Sequence, residues 1–115
     1  MTLHAPWRGN SLDLKLLSQL EERLRGLQQP ELRAVVLKGA GSKSFCTGYH
    51  LPSLLSELEQ GSSVSDFAGH PLERALEALD QVAVPTLALI GGHCYGAGLE
   101  LALTCDLRLA AREAR

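Results

Sequence analysis

One carboxylate, Glu100, stands in a long uncharged stretch and is the first side chain of this sequence that could do chemistry. Between Val82 and Cys105 the only other candidate for a charge is His93, and a buried charge is costly unless something uses or satisfies it. Glu100 follows the turn Gly96-Ala-Gly98, which lets the backbone approach a ligand closely. The helix that starts there points free N–H groups outward. Such amides can stabilise an oxyanion, and the carboxylate can act as a general acid or base.

Two other interpretations of this stretch stay open. Glu100 could merely complement the helix dipole at a solvated helix start, although its apolar neighbours weaken that interpretation. The segment Gly92-His-Cys-Tyr-Gly96 also fits the G-x-nucleophile-x-G elbow of an α/β-hydrolase, with Cys94 as the nucleophile. That fold needs an acid and then a histidine after the nucleophile, and after Cys94 the chain offers Asp106 but no histidine. Cys94 is otherwise a small buried apolar residue.

A second glycine-rich segment runs from Gly39 to His50 and invites a phosphate-loop interpretation. A Walker motif would need glycines where Leu37 and Ser42 stand, so it fails. A dinucleotide-binding fingerprint that starts at Gly39 would need its third glycine where Ser44 stands, so it fails as well. By spacing alone, a plain glycine-rich connection is the favoured interpretation.

The overall composition argues against several kinds of partner. The chain has 115 residues, a net charge of −2, 45% hydrophobic residues and 21% charged residues, which is ordinary for one soluble globular domain or part of one. No face looks strongly basic and aromatic residues are few, so we expect no nucleic-acid partner.

The cysteines and the apolar run near the end of the chain bear on three expectations: the cellular compartment, a metal site and a membrane-spanning segment. Cys46, Cys94 and Cys105 are odd in number and lie in apolar segments, which favours reduced, buried thiols. They lack C-x-x-C spacing, so we expect no metal site. The apolar run is interrupted by Pro85, glycines and Glu100, so we expect no membrane span. The first residues lack the apolar core of a signal peptide. We expect a cytoplasmic protein, or a mitochondrial one if a targeting segment precedes this chain.

The order of the predicted elements indicates an α/β fold with mainly parallel strands. Active sites of such folds lie beyond the carboxyl ends of the strands, where both glycine-rich turns fall. The predicted elements are a helix capped by Asn10 or Ser11 and ending near Arg25, a strand over Arg33 to Lys38, a loop or weak helix over Leu51 to His70, a helix over Leu72 to Val82, a strand over Pro85 to Ile90, the helix carrying Glu100, and a strand over Asp106 to Ala111.

Together, the two glycine-rich segments resemble the crotonase (enoyl-CoA hydratase/isomerase) superfamily. Ala34 to Leu51 matches the family's strand, its G-x-G, and its F-x-x-G-x-D/H-L pattern; Gly91 to Ala110 matches its glycine turn, helix and C-D-x-R-x-A strand. The resemblance implies a crotonase-like (ClpP/crotonase) fold of repeated strand-strand-helix units, truncated at both ends. It makes residues 1–115 a single partial domain and residues 51–70 a variable loop.

The resemblance also implies site residues and a substrate. Family members bind an acyl-CoA thioester and hold its carbonyl oxygen with two backbone amides, which by position are those of Tyr49 and Ala97. Glu100 matches a catalytic glutamate that handles a proton or water at the α,β carbons. Coenzyme A enters as part of the substrate, with no separate cofactor. The residues expected along the CoA and substrate are Lys43, Thr47, Tyr49, His50 and Leu51.

This sequence departs from the family pattern at positions that bear on activity. His50 replaces a frequent aspartate and Ala97 a frequent glycine. The chain stops at Arg115, before the segment that carries a second hydratase glutamate, and an opening β-hairpin before Asn10 is not seen. We expect a hydratase/isomerase whose full-length form is a homotrimer or a dimer of trimers, and expect this chain alone to be nearly inactive. A non-catalytic remnant that only binds acyl-CoA or only assembles is the alternative.

Overall fold

A four-stranded parallel sheet and four helices make up most of the structure, a computed structural model that describes residues 1–61 and 69–115. A short 3-10 helix, Pro6–Arg8, follows the first strand. The strands are β1 (Thr2–Leu3), β2 (Val35–Gly39), β3 (Ser44–Cys46), β4 (Thr86–Ile90), β5 (His93–Cys94) and β6 (Leu107–Ala110). The helices are α1 (Leu14–Arg25), α2 (Leu51–Glu59), α3 (Pro71–Asp80) and α4 (Ala97–Thr104).

All strand pairings within the described ranges are parallel, which confirms the predicted α/β class. The main sheet has the order β1-β2-β4-β6, and β3 pairs with β5 in a separate two-stranded sheet. In β2 the side chains of Val35 and Leu37 are buried while those between and after them are more exposed, the alternation expected of a pleated strand. The helices α1 and α3 pack against each other and contribute leucines to the same core as the sheet.

The first helix begins later than the sequence predicts. Its N-cap is Asp13, not Asn10 or Ser11: the Asp13 carboxylate accepts the N–H of Leu16 at 2.8 Å. The second carboxylate oxygen accepts from the Arg8 guanidinium at 2.7 Å. Partial burial acts to raise the pKa of Asp13, but the Leu16 amide and the Arg8 charge outweigh it and lower the pKa.

Asn10 serves as a buried tie instead of a helix cap. It is fully buried and has a positive φ of 57°, a conformation that asparagine tolerates better than most residues. Its side-chain oxygen accepts the Ala5 N–H at 3.0 Å, and its amide nitrogen donates to the carbonyls of Ala40 at 3.0 Å and Ser44 at 2.9 Å. This side chain therefore fixes the start of the glycine-rich segment to the N-terminal part of the chain.

Four elements differ from the sequence prediction. Strands β1, β3 and β5 are unpredicted because they have only two or three residues each, too few to show an alternating pattern. Helix α2 is regular over nine residues where the sequence predicts a loop or weak helix. Leu51, Leu54, Leu55 and Leu58 do have helical spacing, although α2 buries none of its residues. Within the predicted segment over 51–70, residues 62–68 lie outside the described part.

The C-D-x-R segment before β6 has a structural role. Asp106 accepts the N–H and the hydroxyl of Thr86 at 2.7 and 2.8 Å, and returns its own N–H to the Thr86 hydroxyl at 2.9 Å. These bonds lower the pKa of Asp106. The Arg108 guanidinium donates to the carbonyls of Ala102, Leu103 and Cys105 at 2.8–3.3 Å. Asp106 thus joins β4 to the start of β6, and Arg108 satisfies carbonyls at the C-terminal end of α4.

Two features of the described ranges concern metals and membranes. No three side chains of histidine, cysteine, aspartate or glutamate gather there as metal ligands would. None of the helices described is long and apolar enough to cross a bilayer.

Candidate active site

The two glycine-rich turns lie side by side because the strands before them pair. Cys46 of β3 is the register partner of Cys94 of β5, and the Tyr95 N–H donates to the Cys46 carbonyl at 3.0 Å. A Cβ built on Gly48 would lie 3.0 Å from the Tyr95 oxygen and 3.6 Å from the Ala97 nitrogen. The turn after β3 and the N-terminus of α4 are therefore in direct contact.

The Tyr49 amide is oriented by the peptide that contains it. The carbonyl of Gly48 accepts the Leu12 N–H at 2.8 Å, and the His50 N–H donates to the Leu12 carbonyl at 2.7 Å. In a trans peptide the C=O and N–H point in opposite directions, so the Tyr49 N–H points away from Leu12. It donates to no acceptor among the residues described.

The Ala97 amide is oriented by the start of α4. The Gly96 carbonyl of the same peptide accepts the N–H groups of Leu99 and Glu100 at 2.8 and 3.1 Å. The Ala97 N–H therefore points off the helix N-terminus, the end with partial positive charge. Within residues 1–61 and 69–115 it too lacks an acceptor. Two unpaired donors on contacting turns are what an oxyanion site requires.

Gly98 controls how closely α4 approaches β3. A Cβ at this position would lie 2.4 Å from the Cys46 carbonyl oxygen and 2.7 Å from the Cys46 Cβ. We expect Gly98→Ala to lower the free energy of unfolding by about 1–3 kcal/mol, because backbone must shift to admit the methyl group. Helix propensity alone would make the change favourable. Urea unfolding followed by circular dichroism measures the effect.

The matched control for that change is Gly91→Ala. A Cβ on Gly91 meets nothing within 4 Å, and its backbone has no positive φ. We expect stability within about 0.5 kcal/mol of the parent chain. Equal unfolding midpoints and slopes for the two variants would contradict the close packing described at Gly98.

A cavity of about 610 Å³ opens beside the two amides and includes Glu100. Tyr49 and Ala97 also line it, together with apolar and polar side chains that no sequence motif marks as a site: Leu54, His70, Leu72, Glu73, Leu76 and Glu77. The spacing of Leu72 and Leu76 indicates a helix face but not what that face lines. Glu100 itself is exposed, so the cost of burial that draws attention to it in the sequence does not apply.

The four other predicted contact residues do not line this cavity. Lys43 is exposed, and its carbonyl accepts the His93 N–H at 3.0 Å. His50 places Nδ1 2.9 Å from the Ser53 hydroxyl. Thr47 is half-buried, and its N–H donates to the Gly9 carbonyl at 3.1 Å. Leu51 is the exposed first residue of α2. Lys43 precedes β3, Thr47 and His50 lie between β3 and α2, and Leu51 begins α2.

The geometry does not support Cys94 as a nucleophile. It is paired within β5 instead of standing on the turn, as the nucleophile of an elbow would. Burial raises the pKa of Cys94, and burial also raises that of Cys46, to about 11. Both groups are therefore neutral thiols near pH 7, with little of the thiolate that reacts. All three cysteines are free and buried, as the sequence predicts.

Comparison with known proteins gives consistent matches. A sequence model of the family described as enoyl-CoA hydratase/isomerase matches residues 1–115. The chain is 36% identical over 118 residues to (E)-benzylidenesuccinyl-CoA hydratase of Thauera aromatica, covering 100% of this chain and 44% of that protein. It is 32% identical over 124 residues to the peroxisomal Delta(3,5)-Delta(2,4)-dienoyl-CoA isomerase of Arabidopsis thaliana, covering 99% and 44%.

A solved structure shows the same relation. The crystal structure of an enoyl-CoA hydratase from Polaromonas sp. JS666 matches with a TM-score of 0.88 and 31% identity, over 98% of this chain and 44% of that one. The chain thus spans less than half the length of these relatives. The match confirms the predicted fold.

Proposed function

Because this chain belongs to the enoyl-CoA hydratase/isomerase family, we propose that its cavity binds an acyl-CoA thioester and promotes proton transfer next to the thioester carbonyl. The observation that carries this proposal is that the amides of Tyr49 and Ala97, which have no acceptor within residues 1–61 and 69–115, lie on contacting turns beside a cavity that also contains Glu100.

The chemistry follows from these groups. The thioester oxygen accepts the N–H groups of Tyr49 and Ala97, and negative charge that develops on this oxygen is stabilised there. A carboxylate oxygen of Glu100 takes the proton from the substrate α carbon. The C–H electron pair then forms the enolate double bond, and the carbonyl π electrons move to the oxygen. In a hydration, the same carboxylate takes a proton from water as the water oxygen bonds to the β carbon, while the α,β π electrons form the enolate double bond and the carbonyl π electrons move to the oxygen.

The remaining parts of the proposal concern CoA and assembly. We place the CoA along the segment from Lys43 to Leu51, where Thr47 and His50 also stand, because this segment leads from the surface to the Tyr49 amide. The exposed Lys43 ammonium suits a phosphate. A homotrimer or dimer of trimers for the whole protein remains a prediction. Exposed leucines on α4 and β6 favour a covered surface there: Leu99, Leu103, Leu107 and Leu109.

Binding and α-proton exchange of butyryl-CoA test the proposed function on this chain. We expect calorimetry to show saturable binding, and a stabilisation of roughly 2.7 kcal/mol when the thioester is at a hundredfold excess over its dissociation constant. We also expect loss of the α-proton NMR signal in D2O, since exchange needs only the two amides and one base. The control ligand is ethyl butyrate, which lacks CoA and should not stabilise the chain.

The outcomes separate the alternatives. Binding with exchange supports the proposed chemistry. Binding without exchange indicates the non-catalytic acyl-CoA-binding form instead. A folded chain that binds no acyl-CoA contradicts the proposal.

A further inference from the structure

A carboxylate outside the family motifs, Glu57, joins the walls of the cavity. The Tyr49 hydroxyl donates to one Glu57 oxygen at 2.7 Å, and the His70 Nε2 lies 3.3 Å from the other. The side chain of Glu57 is only 15% exposed and that of His70 19%. The Tyr49 and His70 rings also contact each other, with centroids 5.7 Å apart and planes tilted by 50°.

The His70 tautomer follows from its position before α3. His70 is the N-cap of that helix, and its Nδ1 accepts the Leu72 N–H at 3.1 Å. A ring nitrogen that accepts carries no proton, so the proton of the neutral imidazole is on Nε2. Nε2–H therefore donates to Glu57, and both oxygens of this carboxylate hold a donor.

These contacts tie three separate segments together. Glu57 is on α2, His70 is the N-cap of α3, and Tyr49 is on the turn that contacts the N-terminus of α4. The residue before Tyr49 is Gly48 at a φ of +94°, and glycine restricts its neighbouring peptide less than any other residue. Tyr49 is thus held on one side by the backbone pairing with Leu12 and on the other by its side chain.

We propose that Glu57 is a positioning residue, which anchors the Tyr49 side chain and so holds the Gly48–Tyr49 peptide in the orientation that aims its N–H into the site. The expected effect on exchange rests on the proposed function. The orientation of the Gly48–Tyr49 peptide can be measured on the ligand-free chain. A misaimed donor affects the developing oxyanion more than the bound ground state. Loss of Glu57 should therefore slow exchange more than it weakens binding.

The first measurement uses 15N relaxation of the Tyr49 amide in the ligand-free chain. Glu57→Ala should lower the Tyr49 order parameter from the rigid value of about 0.85 toward the flexible range below about 0.6. The control is Glu59→Ala, which removes the same charge from an exposed position of α2 and should leave the order parameter unchanged. An unchanged Tyr49 amide in Glu57→Ala overturns the inference, whatever acyl-CoA does.

The second measurement is a double-mutant cycle on butyryl-CoA exchange. Glu57→Ala and Tyr49→Phe should each slow exchange at saturating substrate by roughly tenfold, part of what a lost oxyanion donor costs, with little change in the dissociation constant. The double variant should be no slower than either single one, because both remove the same contact. Glu57→Gln keeps an acceptor for the Tyr49 hydroxyl and should recover most of the rate.

Each result of the cycle has a stated meaning. If the rate losses of Glu57→Ala and Tyr49→Phe multiplied in the double variant, the positioning role of Glu57 would be wrong. An exchange rate of Glu57→Ala equal to that of Glu59→Ala would contradict it as well. A parent chain that neither binds nor exchanges contradicts the proposed function, and the amide relaxation then decides on Glu57 independently.

Discussion

Replacing Ala97 with proline should slow α-proton exchange of butyryl-CoA by roughly 10²–10³-fold, the cost of removing one oxyanion donor. Ala97 is the first residue of α4, a position where proline is favoured because its missing N–H has no helical partner. The preceding Gly96 has a φ of 50° and a ψ of −128°, the mirror image of the extended conformation preferred before proline, which glycine adopts freely. The change therefore removes the donor and leaves the helix intact.

The matched control for the proline variant is Ala97→Gly, which keeps the N–H. Exchange should stay near the parent rate, and thermal melts of both variants should show a folded chain. The proline ring also adds carbon where the proton was, so it could block the site. A blocked site would raise the dissociation constant for butyryl-CoA, whereas a lost donor would slow exchange with little change in that constant. A proline variant that exchanges as fast as the glycine variant would contradict the assignment of the Ala97 amide.

The Glu100→Gln variant should lose exchange by about 10²–10⁴-fold, the range for a general base or acid. The amide of glutamine has nearly the same shape as the carboxylate but cannot accept the substrate proton, so butyryl-CoA affinity should change little. Glu100 is exposed and lines the cavity, so the substitution buries no new polar group. Proton NMR in D2O gives the rate and calorimetry the affinity.

Glu77→Gln supplies the comparison for Glu100. Glu77 is an exposed glutamate of α3 that lines the same cavity, so its substitution removes an equal charge from the same space. We expect it to exchange at nearly the parent rate. If Glu77→Gln lost exchange and Glu100→Gln kept it, the base would be Glu77 and the proposed role of Glu100 would be wrong.

The longer elements of the fold could be predicted from the sequence because each has a local pattern. The leucine stripe of α1 has helical spacing, and Val35 to Leu37 of β2 is short, apolar and β-branched. The sequence predicts the wrong cap for α1 because an asparagine, a serine and an aspartate precede the helix within four residues. Any of these types can cap, and only the contact of Asp13 with Leu16 distinguishes them.

The candidate site also contains some residues that the sequence indicates and others that only the structure reveals. The family resemblance implies the amides of Tyr49 and Ala97, the uncharged stretch points to Glu100, and the structure brings all three residues to one cavity. Glu57 and His70 were missed, because a hydrogen bond between α2 and the start of α3 has no fixed spacing that a sequence pattern can show. Asn10 was noticed for its type, but its role as a buried tie depends on carbonyls some 30 residues away in sequence.

The sequence by itself determined the α/β class, the glycine turns and the family to which these motifs belong, because turns, strands and helices of this length depend on neighbouring residues. Only the tertiary structure decided that Glu100 is solvent-exposed, that the amides of Tyr49 and Ala97 have no acceptor among the residues described, and that the Tyr49 hydroxyl donates to Glu57. These properties depend on which segments lie against one another, and the contact between the two turns depends on the pairing of β3 with β5. Those strands are too short for any local pattern to reveal.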